Sequence, residues 1–252
     1  MSGPLSVVVP CAGRGSRLGL PFPKELLPTP DGRVLLDQVV DLIAGLDVRV
    51  LLVTAADREP TIAHLHRRYP QVPVAAVRQG ADTSGLSAAV RVALPFLAAR
   101  TVVLLPDQRL QEMPDRSPVA DADRLLRATS ACFLASWCDD PQRIAADGAL
   151  TIDRDPSQGG MGRVQRMADK PGLEAAGGHN AVWFAFGFRR EVAGPVLDQL
   201  DRAERHLLAD DDFARGPLHA APVIAVPPFV DRGTWPAVSD MWRRHGKDVP
   251  CD

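Results

Sequence analysis

Short runs of Val, Ile and Leu alternate along this chain with longer segments of helical periodicity, and no other feature restricts its fold as much. A run such as Val7-Val8-Val9 or Val102-Val103-Leu104-Leu105 is apolar on consecutive residues, so both faces of the strand it forms must be covered. That is the condition of a mostly parallel sheet with helices on its two sides. The pattern predicts strands over 5–10, 48–54, 72–77, 101–106, 131–137, 163–167, 181–188 and 223–226. It predicts helices over 35–44, 59–68, 84–99, 120–128, 191–206 and 236–245. The first half then reads as successive right-handed crossover units joined by short loops. The second half is less regular: residues 139–162, with Gly and Pro among polar side chains, leave open a β-ribbon or a mobile flap. No linker divides the chain, so the expectation is a single α/β domain over 1–252, with halves at 1–130 and 131–252.

Charge excludes several partners. With 29 Lys and Arg against 31 Asp and Glu, the chain has no general positive field to hold a nucleic-acid backbone, so no nucleic-acid partner is expected. Its apolar runs are far shorter than the roughly 20 residues that span a bilayer, and Met1-Ser2-Gly3-Pro4 feeds no basic region into an apolar segment. A soluble cytoplasmic protein without a membrane partner is expected. Cys11, Cys132, Cys138 and Cys251 form no C-x-x-C pair and no cluster with His, so buried or incidental thiols are expected rather than a zinc or redox site. The cations comprise 26 Arg and only three Lys, at Lys24, Lys170 and Lys247. In such a chain a lysine marks a place where arginine does not substitute.

The first predicted strand runs into Cys11-Ala12-Gly13-Arg14-Gly15-Ser16-Arg17-Leu18, followed by Pro23-Lys24-Glu25-Leu26-Leu27-Pro28. Small residues let backbone N–H groups approach an anion, and Arg17 and Lys24 add positive charge, so the natural guest is a polyphosphate. A dinucleotide-binding G-x-G-x-x-G turn fails, because its third glycine is Leu18 and Pro21 and Pro23 prevent a helix from opening there. A Walker loop fails for want of Gly-Lys-Ser/Thr. A glycine turn with surface basic residues is the plain structural alternative.

The spaced pattern A-G-x-G-x-R-L … P-K-x-L-x-P, carried by Ala12, Gly13, Gly15, Arg17, Leu18, Pro23, Lys24, Leu26 and Pro28, resembles the opening of the sugar-1-phosphate nucleotidyltransferases, the glucose-1-phosphate thymidylyltransferases among them. The resemblance implies a Rossmann-like nucleotidyltransferase fold. It also implies that Ala12, Gly13 and Gly15 wrap the triphosphate, that Arg17 holds phosphates in the transition state, and that Lys24 assists the leaving pyrophosphate. Downstream motifs follow in the family's order. Gln79 and Gly85 stand where the family reads the nucleobase, although Ser84-Gly85 also suits a plain helix start. Asp107, just past a central strand, and Asp231, in Asp231-Arg232-Gly233-Thr234, stand where the family holds Mg²⁺. A strand-end turn and a helix cap are the ordinary readings of the same two residues. Asp169-Lys170-Pro171 resembles the family's Glu-Lys-Pro triplet, with Asp169 and Asn180 toward the acceptor and Lys170 on its phosphate. Residues 1–130 become the nucleotide-binding half and 131–252 the acceptor-binding half.

The implied reaction joins a nucleoside triphosphate to a sugar 1-phosphate and releases pyrophosphate, with Mg²⁺ as cofactor and a homo-oligomer compatible with the pattern. A cytidylyltransferase of an alditol phosphate or another phosphate acceptor is the alternative. A sugar-nucleotide-binding regulatory domain is the non-enzymatic one. Trp183 and Trp235 read as core residues, and His64 and His66 as surface ones.

Overall fold

In the computed structural model, residues 3–13, 15, 17–56, 58–153 and 162–245 are described. The first part is built from β1 (Leu5–Cys11), α1 (Asp37–Leu42), β2 (Val48–Thr54), α2 (Glu59–Arg68), β3 (Val74–Arg78), α3 (Leu86–Ala93), β4 (Arg100–Leu104), β5 (Gln108–Leu110) and α4 (Pro118–Leu125). After it come β6 (Ala131–Trp137), α5 (Pro141–Ala146), β7 (Gly148–Ile152), β8 (Val164–Asp169), α6 (Leu173–Ala176) and β9 (Ala181–Arg189). The chain continues through α7 (Ala193–Glu204), α8 (Asp210–Ala214), β10 (Val223–Ala225), β11 (Phe229–Asp231) and α9 (Trp235–His245).

The main sheet runs β10-β6-β9-β4-β1-β2-β3. Strands β3, β2, β1 and β4 are parallel, β9 inserts antiparallel between β4 and β6, and β10 is parallel to β6. Because β9 and β6 from the second half join β4 of the first, the two halves share one sheet. The apolar runs form the centre of the sheet for the expected reason. Val7, Val9, Val102 and Leu104 pack with α1, α2 and α4 through Val39, Leu42, Leu65 and Val119. Val8, Leu51, Val53 and Val103 face the other way, against Val90 of α3 and Val196 and Leu200 of α7.

Local chemistry sets several boundaries away from those expected. The helix expected over 84–99 starts at Leu86, because Gly85 has φ +95°, and yields to a 3₁₀ turn at Leu94–Phe96, where Pro95 removes a donor. Ser117 caps α4, its side chain accepting from Ala120 N–H, so that helix starts at Pro118 rather than 120. In the irregular 139–162 stretch, Asp140 caps α5, and β7 pairs antiparallel with β8, so a β-ribbon is present. Residues 154–161 of that stretch, like Cys251 and Lys247, lie outside the described residues. The other expected thiols, Cys11, Cys132 and Cys138, are buried and free. Burial pushes Cys132 up to about 12 against a hydrogen bond from Gly187.

No helix among the described residues is long and apolar enough to cross a membrane.

Candidate active site

Strands β1 and β4 are adjacent and parallel, so the segments leaving their carboxyl ends meet over one edge of the sheet, the usual ligand crevice of open α/β folds. From β1 comes the glycine loop. Gly15 has φ +61°, a region an L side chain adopts at a cost, and its carbonyl accepts from the N–H groups of Leu18 (3.0 Å) and Gly19 (3.2 Å). A Cβ at Gly13 would lie 3.9 Å from Lys24 Cε and one at Gly15 3.6 Å from Lys24 Cβ, so Lys24 lies along the loop. Arg17 is exposed on it.

The loop is anchored from behind by residues that no motif singled out. Arg58, at the start of α2 and 6% exposed, donates from Nε to the Cys11 carbonyl (2.9 Å) and from Nη2 to the Gly13 carbonyl (2.6 Å). Glu25 is fully buried, accepts from Thr61 Oγ1 at 2.8 Å, and lies 3.9 Å from Arg58 Nε. Burial raises the Glu25 carboxyl against those two partners and Lys24. Only the position of Glu25, next to Lys24, could have hinted at this.

Past β4, Asp107 is 9% exposed and forms an ion pair with Lys24. Strand β5 follows at once and pairs antiparallel with β11, which places Asp231 opposite Gln108. The Arg232 N–H donates to the Asp107 carbonyl (2.8 Å) and the Gly233 N–H to Asp231 Oδ1 (2.6 Å). A Cβ at Gly233 would stand 2.8 Å from Asp231 Oδ1 and 3.7 Å from Asp107 Oδ2, so the two carboxylates converge on a spot that only a glycine leaves open. Burial, then the charge of Asp107, raises the Asp231 carboxyl above its ordinary value, against the Gly233 hydrogen bond and Lys24. Burial alone would lower the Lys24 ammonium, but Asp107, by charge and hydrogen bond, and then Asp231 and Glu25 raise it, so Lys24 is held charged.

Two cavities of about 510 Å³ open on this edge. One is lined by Ala12, Arg58, Arg78, Gln79, Gly80 and Thr83, and so contains the expected nucleotide residues Ala12 and Gln79. The other contains Asp169, Lys170 and Asp231 together with Gly85, which was expected on the nucleotide side. Lys170 has φ +47°, a strained value for a lysine, and its N–H donates to the Asp147 carbonyl at 3.0 Å. Its ammonium is exposed and 3.6 Å from Asp169. Asn180 is not among the lining residues. Its amide oxygen accepts from the Ile152 N–H and its amide nitrogen donates to the Ile152 carbonyl, both at 2.9 Å, so it clamps β7 to the start of β9.

The cavity around Lys170 also holds residues that the motifs did not flag. Glu204, at the end of α7, accepts from Ser87 N–H (2.9 Å) and Ser87 Oγ (3.0 Å) at the start of α3. Trp183 is 5% exposed, and the wall that carries its Nε1 touches Gly148, where any Cβ would fall inside the indole. It belongs to the core, as expected, and lines the cavity as well.

A glycine loop at the end of the first strand, a partly buried Lys–Asp–Asp group beside it and a second cavity across the sheet edge lie together on one edge of an α/β domain. The model of the MobA-like NTP transferase domain matches residues 7–141, more than half of the chain, and the chain belongs to that family. It is 32% identical over 191 residues to the bifunctional protein GlmU of Polaromonas, covering 72% of this chain and 35% of that protein. It is also 32% identical over 213 residues to the CMP-5'-(3-aminopropyl)phosphonate synthase of Streptomyces rubellomurinus, covering 79% of this chain and 31% of that protein. The chain thus spans about a third of the length of these curated relatives. A UDP-glucose pyrophosphorylase from Acinetobacter baumannii superposes with a TM-score of 0.73 at 19% identity, over 99% of this chain and 95% of that one, which shows a shared fold. The mixed sheet flanked by helices is therefore the Rossmann-like nucleotidyltransferase fold that the sequence implied.

Proposed function

We propose that this chain transfers a nucleotidyl group from a nucleoside triphosphate to a phosphorus-oxyanion acceptor and releases pyrophosphate. The single observation that carries the reading is the meeting of Lys24, Asp107 and Asp231 beside the glycine loop, from three segments far apart in the chain. An acceptor oxyanion and a triphosphate repel each other, since a phosphate monoester alone carries about −1.5 to −2 at neutral pH. The chain's own contribution is therefore positioning and charge compensation, by Arg17, Lys24 and Lys170, with the amides of Ala12, Gly13 and Gly15 toward the triphosphate. Lys24, held charged by Asp107, faces the leaving pyrophosphate, and Lys170 faces the acceptor. No general base is required, because the attacking oxygen is already ionised at pH 7.

The residues present fit Mg²⁺. Two converging carboxylates, one of them raised by burial and then by the other's charge, suit a hard cation that takes one or two carboxylates plus substrate phosphates and waters. Asp107 and Asp231 would hold it, and it would supply Lewis-acid compensation of the phosphate charge. Among the described residues no larger group of His, Cys, Asp or Glu is disposed to hold a metal.

Two acceptor classes suit the site. The Asp169-Lys170-Pro171 triplet suggests a sugar 1-phosphate, with the base read from Gln79. The similarity to the Streptomyces synthase, together with apolar walls at Leu86, Leu105, Met167 and Leu200, favours cytidylyl transfer to a non-sugar phosphate or phosphonate. A cytoplasmic enzyme working on small phosphorylated metabolites suits either reading. The test is pyrophosphate release from a panel of nucleoside triphosphates with sugar and non-sugar acceptors. Turnover should depend on added acceptor and fall roughly 100- to 1000-fold in Lys24→Ala. Release of pyrophosphate that needs no acceptor, or that Lys24→Ala leaves unchanged, refutes the reading.

A further inference from the structure

The cavity around Lys170 is lined by five carboxylates, Asp147, Asp169, Asp201, Glu204 and Asp231, and by only two cations, Lys170 and Arg205. Ion pairs account for part of this excess. Lys170 lies 3.6 Å from Asp169, Arg205 3.0 Å from Asp201, and Arg143, outside the lining, 3.4 Å from Asp147. Asp231 converges on Asp107. That leaves Glu204, with which no Lys or Arg among the described residues pairs. It accepts from the Ser87 N–H and hydroxyl at the start of α3. Burial keeps its carboxyl above the usual range in spite of those two hydrogen bonds, and the charge of Asp169 pushes the same way.

A second, independent observation concerns Gln108. It lines the same cavity, is 9% exposed, and its Oε1 has no hydrogen-bond partner. A buried acceptor without a donor is costly, and the cost is removed when a ligand donates to it. Between these polar groups the wall is apolar, formed by Leu86, Leu105, Met167, Leu200 and the indole of Trp183. A sugar ring presents hydroxyls that both donate and accept all round its edge. Apart from the unpartnered Trp183 Nε1–H, this wall offers mainly acceptors, excess negative charge and hydrocarbon, which is the complement of a cation on a short methylene chain.

We propose that the acceptor is an ammonium-bearing alkyl phosphorus oxyanion, a phosphate monoester or a phosphonate. Its oxyanion lies at Lys170, its methylenes lie along Leu105 and Met167, and its ammonium is held by Glu204 and Gln108. The proposal rests on the nucleotidyl-transfer reading and names the acceptor of that reaction. One acceptor oxygen attacks the α-phosphorus, a P–O–P bond forms, the bond to the β-phosphate breaks, and pyrophosphate leaves with the electron pair. The ammonium keeps its protons throughout.

The test uses the full chain with Mg²⁺ and each nucleoside triphosphate. The acceptors are 2-aminoethyl phosphate, 2-aminoethylphosphonate, the 2-hydroxyethyl counterpart of each, and glucose 1-phosphate. Each ammonium acceptor that is used should exceed its hydroxyl counterpart in kcat/KM by about tenfold or more, and the phosphate and phosphonate arms tell which source of oxyanion is taken. Glu204→Gln, which keeps an oxygen for Ser87 but removes the charge, should raise KM for the ammonium acceptor about tenfold more than KM for its hydroxyl counterpart. Parity, or preference for a hydroxyl acceptor or glucose 1-phosphate by the unaltered protein, overturns the proposal while nucleotidyl transfer stands. Equal KM effects of Glu204→Gln on both acceptors remove Glu204 from the ammonium site. Pyrophosphate release with none of the acceptors and any nucleotide overturns the transferase reading, and the proposal falls with it.

Discussion

Gly85 joins the two halves of the site, and Gly85→Ala measures how tightly. The residue sits at φ +95° and ψ 163°, a region essentially reserved for glycine, where an alanine costs of order 1–3 kcal/mol. The new Cβ would also stand 2.5 Å from Glu204 Oε2. A glutamate tip can swing away, but only by giving up its two hydrogen bonds from Ser87. Each is worth about 1 kcal/mol net at a partly buried site. The sum is about 3–5 kcal/mol, which for a domain of this size lowers Tm by roughly 10 °C. Calorimetry or denaturant unfolding reads the loss directly. The double variant Gly85→Ala/Glu204→Ala isolates the cause: Glu204→Ala alone should cost about 2 kcal/mol, while the double should cost no more than Gly85→Ala alone, since the hydrogen bonds can be lost only once. Additive losses, or a Gly85→Ala protein as stable as the parent, would refute the coupling through Glu204.

Three other perturbations probe separate parts of the site. Lys170→Ala should raise KM for the acceptor far more than KM for the nucleotide, and Lys170→Arg should rescue poorly because a planar fork is directed differently from an ammonium; steady-state kinetics with each substrate varied reads both. Gly148→Ala drives a methyl into the indole of Trp183, so the overpacking should cost about 1–3 kcal/mol and weaken acceptor binding without changing nucleotide KM. Burial, then the charge of Arg166, lowers His179 below 6.5 in spite of Asp210. The unfolded chain therefore binds more protons, and the stability contributed by neutral His179 is present above about pH 6.5 and is lost as pH falls below it. His179→Gln should flatten that acid-side loss, read as denaturant midpoints at about pH 7.5, 6 and 5, and an unchanged slope would show that His179 does not cause it.

The strands of the sheet were legible because burial on both faces leaves a local signature: β2 and β6 span 48–54 and 131–137, as their apolar runs predicted. The glycine loop was legible for a similar reason, since small residues, prolines and a rare lysine act on the backbone within a single segment. Asp107 could be placed near that loop because a parallel neighbour of the first strand must release its chain at the same edge. Contacts made across the chain could not be read in this way. The ribbon of β5 and β11, three residues each, carries no periodicity, yet it brings Asp231 to Asp107.

The roles of polar side chains were decided only by what faces them after folding. Asn180 stands in a site motif, but its amide is taken up by the Ile152 backbone. Arg58, Glu204 and Gln108 stand in no motif, and they meet the glycine loop, the start of α3 and the cavity around Lys170 only because helices α2 and α7 and strand β5 pack where they do. Apolar patterning is written into neighbouring residues, since each strand or helix must hide its own surface. The partner of a carboxylate or a guanidinium is a residue tens of positions away, and only the packed sheet determines which one it meets.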